Sequence, residues 1–159
     1  MAKREIETHS AEETVELGKK IGATVNAPVL ILLSGDLGAG KTTLTKGIVA
    51  GAGAAQEEEV TSPTFTLIHK YVKANGANTC PPVYHIDLYR IEDRQALETL
   101  GLDDVFNERA IIVVEWPERL RLPSDWPLVR ITLENLAEDS RRIQIEEGAE
   151  GTHERRAAI

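Results

Sequence analysis

A strand that must be buried on both faces runs directly into a glycine loop, and few folds accept that junction. Val29-Leu30-Ile31-Leu32-Leu33 is an unbroken apolar run. It has no polar face to turn to water, so it reads as a central parallel strand. Gly35-Asp36-Leu37-Gly38-Ala39-Gly40-Lys41-Thr42 follows, with the spacing G-x-x-x-x-G-K-[ST] of a phosphate-binding loop. Leu44, Ile48 and Ala52 then recur at four-residue intervals, one face of an amphipathic helix. That helix is expected to end at Gly51-Ala52-Gly53, where glycine supplies a left-handed cap.

The order strand, loop, helix has a chemical purpose. Gly35, Gly38 and Gly40 let successive N–H groups converge on one anion, and the helix N-terminus adds partial positive charge behind them. Lys41 is placed to reach β- and γ-phosphates, and the Thr42 hydroxyl to ligate Mg²⁺. The candidate nucleotide-binding residues are Asp36, Leu37, Gly38, Ala39, Gly40, Lys41, Thr42 and Thr43. A chance match to this pattern arises in about one of a few hundred chains of this size. The flanking strand and helix weigh further against a glycine turn with an incidental lysine.

At 159 residues the chain is long enough for one domain with a real core, expected over 1–146. Its formal charge is -8, from 18 basic and 26 acidic residues. Such a surface is poorly suited to gripping nucleic acid or anionic membrane alone. Cys80 is the single cysteine, which excludes an internal disulfide and a thiolate metal cluster. Neither a leader pattern nor an apolar run of membrane length is present, so the expected compartment is the cytoplasm.

Ser10-Ala11-Glu12-Glu13 reads as a capping box opening a helix that carries Leu17, Ile21 and Val25 and covers a sheet edge near the nucleotide. Thr8 to Ser10 either cap that helix or lie beside the adenine. Gln56 to Glu59 form a solvated acidic patch. Val60 to Ile68 crowds hydroxyls around Pro63. Two readings stay open here: a threonine-rich edge strand, or a switch loop offering Thr61, Ser62 or Thr64 to Mg²⁺ and the γ-phosphate. Lys73 to Pro82 reads as a hairpin loop.

In the strand Val83 to Tyr89, His85, Asp87 and Tyr89 share one face, which turns Asp87 to a polar cleft. His85 is read as a packed, hydrogen-bonded histidine. Asp93 caps a short helix closed by Gly101. Ala110 to Glu115 is the second continuous apolar run, and its terminal acid suits a metal held by the loop. Glu115 and Asp87 therefore compete for that role. Trp116 either caps the core or contacts nucleotide or partner. Leu128 to Leu133 and Arg142 to Ile145 read as two final antiparallel strands at the sheet edge, and 147–159 as a disordered tail. The fold class is α/β, a P-loop NTPase fold with a mostly parallel sheet, flanking helices and antiparallel edge strands.

Several segments together resemble one family. Gly35 to Thr43, Ser62-Pro63-Thr64-Phe65-Thr66-Leu67, His85-Ile86-Asp87-Leu88-Tyr89-Arg90, Leu100-Gly101-Leu102 and Val114-Glu115-Trp116-Pro117 stand in the order and spacing of TsaE (formerly YjeE). The loop is generic; the combination with Asp-Leu-Tyr-Arg and Glu-Trp-Pro is specific. The resemblance runs from about Ser10 to Arg142. It implies that Lys41 and Thr42 bind MgATP, that Thr42 and Glu115 hold Mg²⁺, and that Asp87 and Trp116 matter for ATPase function. It also implies partnership with TsaD and TsaB, which transfer threonylcarbamoyl to adenosine 37 of ANN-decoding tRNAs, with tRNA met only through that complex.

The catalytic candidates are thus Lys41, Asp87 and Glu115, with Thr42, Glu115 and Asp87 as metal candidates and Trp116 added to the nucleotide set. Asp87 is expected to orient water or the Mg²⁺ shell, not to act as a strong base. Arg90 is expected in a surface ion pair. No Asn/Thr-Lys-x-Asp motif for guanine is present. A small-molecule or nucleotide kinase is the alternative, with Arg119 and Arg121 as a thin lid. A nucleotide-binding structural partner that never turns over is a third reading.

Overall fold

The computed structural model describes residues 3–36, 38–63, 67–73, 80–89, 91, 101–119 and 125–148. Among these residues seven strands form one sheet: β1 (Lys3–Thr8), β2 (Val29–Ser34), β3 (Ile68–Tyr71), β4 (Val83–Asp87), β5 (Ile111–Glu115), β6 (Leu128–Asn135) and β7 (Arg141–Glu147). Their spatial order is β1-β7-β6-β2-β5-β4-β3. The four central strands, β6-β2-β5-β4, are parallel, while β3 at one edge and β7-β1 at the other are antiparallel. The parallel character is therefore confined to the centre.

The apolar runs became the middle of the sheet because both their faces are covered. Ile31 and Leu33 of β2 and Val113 of β5 pack with α1 (Ala11–Thr24) and α2 (Lys41–Gly51). Leu30, Leu32, Ile112 and Val114 pack on the opposite face with Trp126 and α3 (Leu102–Phe106). Each such buried side chain contributes about 1.5–3 kcal/mol. That exceeds anything available at the charged edge.

The two helices on the first face touch through glycine. A Cβ on Gly22 would lie 2.1 Å from the Ile48 carbonyl oxygen, and one on Gly47 would lie 2.1 Å from that of Val15. Backbone meets backbone at this crossing, so α1 is tied to the helix after the glycine loop as well as lying over edge strand β1. Ser10 Oγ accepts from the Glu13 N–H at 3.1 Å, and Glu13 accepts from the His9 N–H at 2.8 Å. The capping box thus closes one residue ahead of the cap. Helix α2 ends as expected: Gly53 has φ 80°, and the Ala54 and Gly53 N–H groups bond the carbonyls of Val49 and Ala50.

Several expectations need correction. The strand β6 is not at an edge; it lies against β2 in parallel register, Ile31 beside Val129. The edge belongs to β1, which the sequence reading missed. Of its residues only Thr8 is buried, and ladder bonds to β7 hold it, helped by Lys3–Glu146 at 3.4 Å and Arg142–Glu5 at 3.6 Å. Exposed pairs of this kind are worth about 0–1 kcal/mol each. Thr61 to Pro63 are not strand. In the acidic patch, Glu57 meets Lys19 of α1 at 3.3 Å. The helix expected after Asp93, the residue Arg90 and the tail from 149 lie outside the described residues. Among the described residues, no helix is long and apolar enough to cross a membrane.

Candidate nucleotide and metal site

The central parallel strands all end at one edge, and the turns leaving them converge there. Gly38 at φ 79° and Gly40 at φ 99° hold the left-handed conformations that bend the loop between β2 and α2. Around it lies a pocket of about 310 Å³. Gly38, Gly40, Lys41, Thr42, Thr43, Ser62, Asp87, Tyr89, Glu115, Trp116 and Arg141 line it. A larger groove of about 500 Å³ runs between β1 and α1. Charges of both signs rim that groove, and it gathers none of the loop residues; the sequence-derived candidates meet at the smaller pocket.

Lys41 opens α2 and is only 5% exposed. Its Nζ donates to the carbonyls of Gly35 at 2.6 Å and Asp36 at 3.0 Å, and lies 4.7 Å from the centre of the Trp116 ring. Trp116 takes φ 61°, a left-handed conformation that a bulky side chain avoids. Such strain costs about 1–3 kcal/mol and is typical of functional sites. The turn sets the indole against Tyr89, with ring centres 5.0 Å apart and planes tilted by 40°, and over the lysine.

Parallel pairing of β4 with β5 sets Asp87 beside Glu115 in register. Glu115 is 3% exposed, and its Oε2 lies 3.5 Å from the Thr42 hydroxyl and 2.5 Å from His85 Nε2. Asp87 is half-buried. Its Oδ2 accepts from Ser62 Oγ at 3.3 Å, and its Oδ1 from the Tyr89 N–H at 3.0 Å. The carboxylate nearer the Thr42 hydroxyl is therefore Glu115.

Most of the sequence-derived candidates converge. Gly38, Gly40, Lys41, Thr42, Thr43, Asp87, Glu115 and Trp116 line the pocket. Asp36 contributes its carbonyl to Lys41, and Ala39 is buried beneath the loop. Leu37, Thr64 and Arg121 lie outside the described residues, as does the Arg119 side chain. Ser62 reaches the pocket, whereas Thr61 is exposed and only its N–H is engaged, by the Tyr71 hydroxyl at 3.4 Å. Ser10 caps α1, while the Thr8 hydroxyl lies 2.7 Å from that of Thr14 within the helix.

Arg141 was missed. It starts β7, and its guanidinium donates to the carbonyls of Ala39 at 3.1 Å and Gly38 at 3.4 Å. Three further bonds reach the carbonyls of Ala137, Glu138 and Ser140. An arginine leading an amphipathic strand carries no local sign of contact with a loop a hundred residues earlier. Only the strand order creates it.

A family model described as "Threonylcarbamoyl adenosine biosynthesis protein TsaE" matches residues 8–144. The Haemophilus influenzae tRNA threonylcarbamoyladenosine biosynthesis protein TsaE is 40% identical over 119 residues, 74% of this chain and 69% of that protein. Its namesake from Nostoc is also 40% identical, over 84% of this chain and 80% of its own. The crystal structure of Bacillus subtilis YdiB is similar with a TM-score of 0.71 and 30% identity, covering 96% of this chain and 90% of that one. With the loop, Asp87, Glu115 and Trp116 at one pocket and the family profile spanning residues 8–144, the chain belongs to the TsaE family of tRNA threonylcarbamoyladenosine biosynthesis.

Proposed function

We propose that residues 1–146 form a Mg²⁺-dependent ATPase that serves threonylcarbamoyladenosine synthesis by acting on the TsaD–TsaB pair, with 147–159 as an appended tail. Tight tRNA contact is left to that complex, in the cytoplasm where tRNA is modified. One observation carries the nucleotide reading. Lys41 and Arg141 both face the loop, and among the described residues their hydrogen bonds go to backbone carbonyls, not to carboxylates. A nearly buried ammonium without a counter-charge is costly, and a polyphosphate is the partner that relieves it.

The donor set also fits the metal. Mg²⁺ prefers oxygen, keeps several waters and needs only one or two protein ligands beside substrate phosphates. The Thr42 hydroxyl and the Glu115 carboxylate, 3.5 Å apart, are such a pair. Bound MgATP supplies the γ-phosphoryl group and a divalent charge that offsets its oxygens.

The chain's own residues do the rest by position and charge. The amides of the loop around Gly38 and Gly40 cradle anionic oxygens. Lys41 leaves the Gly35 and Asp36 carbonyls for the phosphates, while the Trp116 ring covers its flank. Thr42 and Glu115 hold the metal. Asp87, fixed by Ser62 and the Tyr89 amide, orients a water by hydrogen bonding.

Phosphate release by the purified chain, alone and with TsaD–TsaB, tests the reading, together with filter binding of tRNA. Slow hydrolysis alone, faster hydrolysis with the pair and weak tRNA binding are expected. A folded Lys41→Ala variant should lose most ATP binding or turnover. Tight tRNA binding without partners, or hydrolysis indifferent to them, would overturn the pathway role; an unaffected Lys41→Ala would overturn the site.

A further inference from the structure

We propose that His85 is a positioning residue for the metal site, holding the Glu115 carboxylate in its ligating orientation through a hydrogen bond from Nε2–H. The inference rests on the reading of Glu115 as a Mg²⁺ ligand and adds the group that aims it. His85 lies in β4 opposite Val113 of β5, two residues before Asp87 and on the same face. That register leaves the longer Glu115 side chain to fold back across the strand pair, where its Oε2 meets His85 Nε2 at 2.5 Å.

The imidazole is fully buried, and its Nδ1 has no hydrogen-bond partner among the described residues. The tautomer is assigned from this network: a carboxylate accepts, so Nε2 carries the proton, and Nδ1 keeps a bare lone pair. A bare acceptor is the less costly group to leave unpaired, but it still carries a penalty. An aliphatic side chain would fill this place between apolar strands without that penalty. The bond to Glu115 is what an imidazole adds here. Thr42 reaches the same oxygen at 3.5 Å, so Oε2 is located by one short donor and one long one. With His85 gone, only the long contact remains, and the carboxylate is free to rotate.

Partners that orient a metal ligand through its outer atoms change metal affinity by about 10–100-fold when removed. The test uses Mn²⁺ and ADP as probes, with Mn²⁺ affinity of the ADP complex followed by electron paramagnetic resonance and ADP affinity measured separately without metal. His85→Phe keeps the ring shape and removes the donor; it should weaken Mn²⁺ binding about tenfold or more and leave metal-free ADP binding unchanged. His85→Gln, with an amide donor of similar reach, should recover most of the loss. If His85→Phe does not fold, His85→Asn, too short to reach Oε2, should show the same loss. Glu115→Gln separates the two claims. Weakened Mn²⁺ binding in Glu115→Gln beside wild-type binding in the folded His85 variant overturns the role of His85 alone. Wild-type Mn²⁺ binding in Glu115→Gln overturns the metal reading of Glu115 and the inference with it.

Discussion

Asp87 and Glu115 end neighbouring parallel strands at the same register, yet their surroundings differ sharply. Glu115 is nearly sealed, with His85 below it and the Thr42 hydroxyl beside it. Asp87 stands half-exposed, its two oxygens taken by Ser62 and by the backbone of Tyr89. A buried carboxylate must be matched by donors or metal, because water cannot screen it. A half-exposed one tolerates exchange of its partners. On the proposed reading, the pair divides into a fixed metal anchor, Glu115, and an adjustable group, Asp87, facing the loop that carries Ser62. Both acids end mostly apolar strands, and their depth and their partners separate them.

The sharpest way to break this comparison is Glu115→Gln, which keeps the shape and an acceptor for His85. Steady-state hydrolysis should fall on the order of 100-fold, the scale of losing one aligned charge-stabilising group. Nearly wild-type turnover with unchanged Mg²⁺ dependence would show that Asp87 is the anchor. Asp87→Asn should cost less, about tenfold in turnover, below the roughly 100-fold or more that a proton-transferring side chain supplies because Asp87 only orients a water, with Mn²⁺ affinity almost unchanged. A larger loss of metal affinity there than in Glu115→Gln would invert the two roles.

Arg141→Ala removes the tie between the β6–β7 turn and the loop without touching either acid. Nucleotide affinity should drop about tenfold, equivalent to roughly 1.4 kcal/mol, equally with and without metal. A defect seen only with Mg²⁺ would mean that Arg141 acts through the carboxylates. The smallest effect concerns an acid far from the site. The Tyr84 hydroxyl and then Lys70 hold the Glu108 carboxyl below the usual carboxylate range. A lowered value in the fold stabilises it above the unfolded-state value, and that contribution is lost as pH falls through the lowered one. Because Glu108 is well exposed, the loss should be at most a few tenths of a kcal/mol. Melting curves of the wild type and Glu108→Gln should therefore converge in acid; a gap unchanged from neutral to acid pH would contradict the assignment.

Some of this molecule is written in its sequence because the physics there is local or periodic. The β2 and β5 runs have no polar face, so burial on both sides follows directly. Gly38, Gly40, Lys41 and Thr42 specify a loop because backbone freedom, charge and hydroxyl must come in that order. Ser10 and Glu13 specify a helix start within four residues. The edge strand β1 was invisible because its charged residues follow no apolar period; ladder bonds to β7 supply its shape. The place of β6 beside β2 was equally hidden, since pairing partners depend on chain crossings and not on local composition. Arg141 at the loop and His85 beneath Glu115 follow from that order of strands. Sequence alone determined the two buried central strands and the glycine loop after β2, and it singled out Lys41, Thr42, Asp87 and Glu115 as candidates for a phosphate and a metal. Tertiary structure decided which carboxylate was sealed beside Thr42 and which was left open, because burial and register are properties of the assembled sheet.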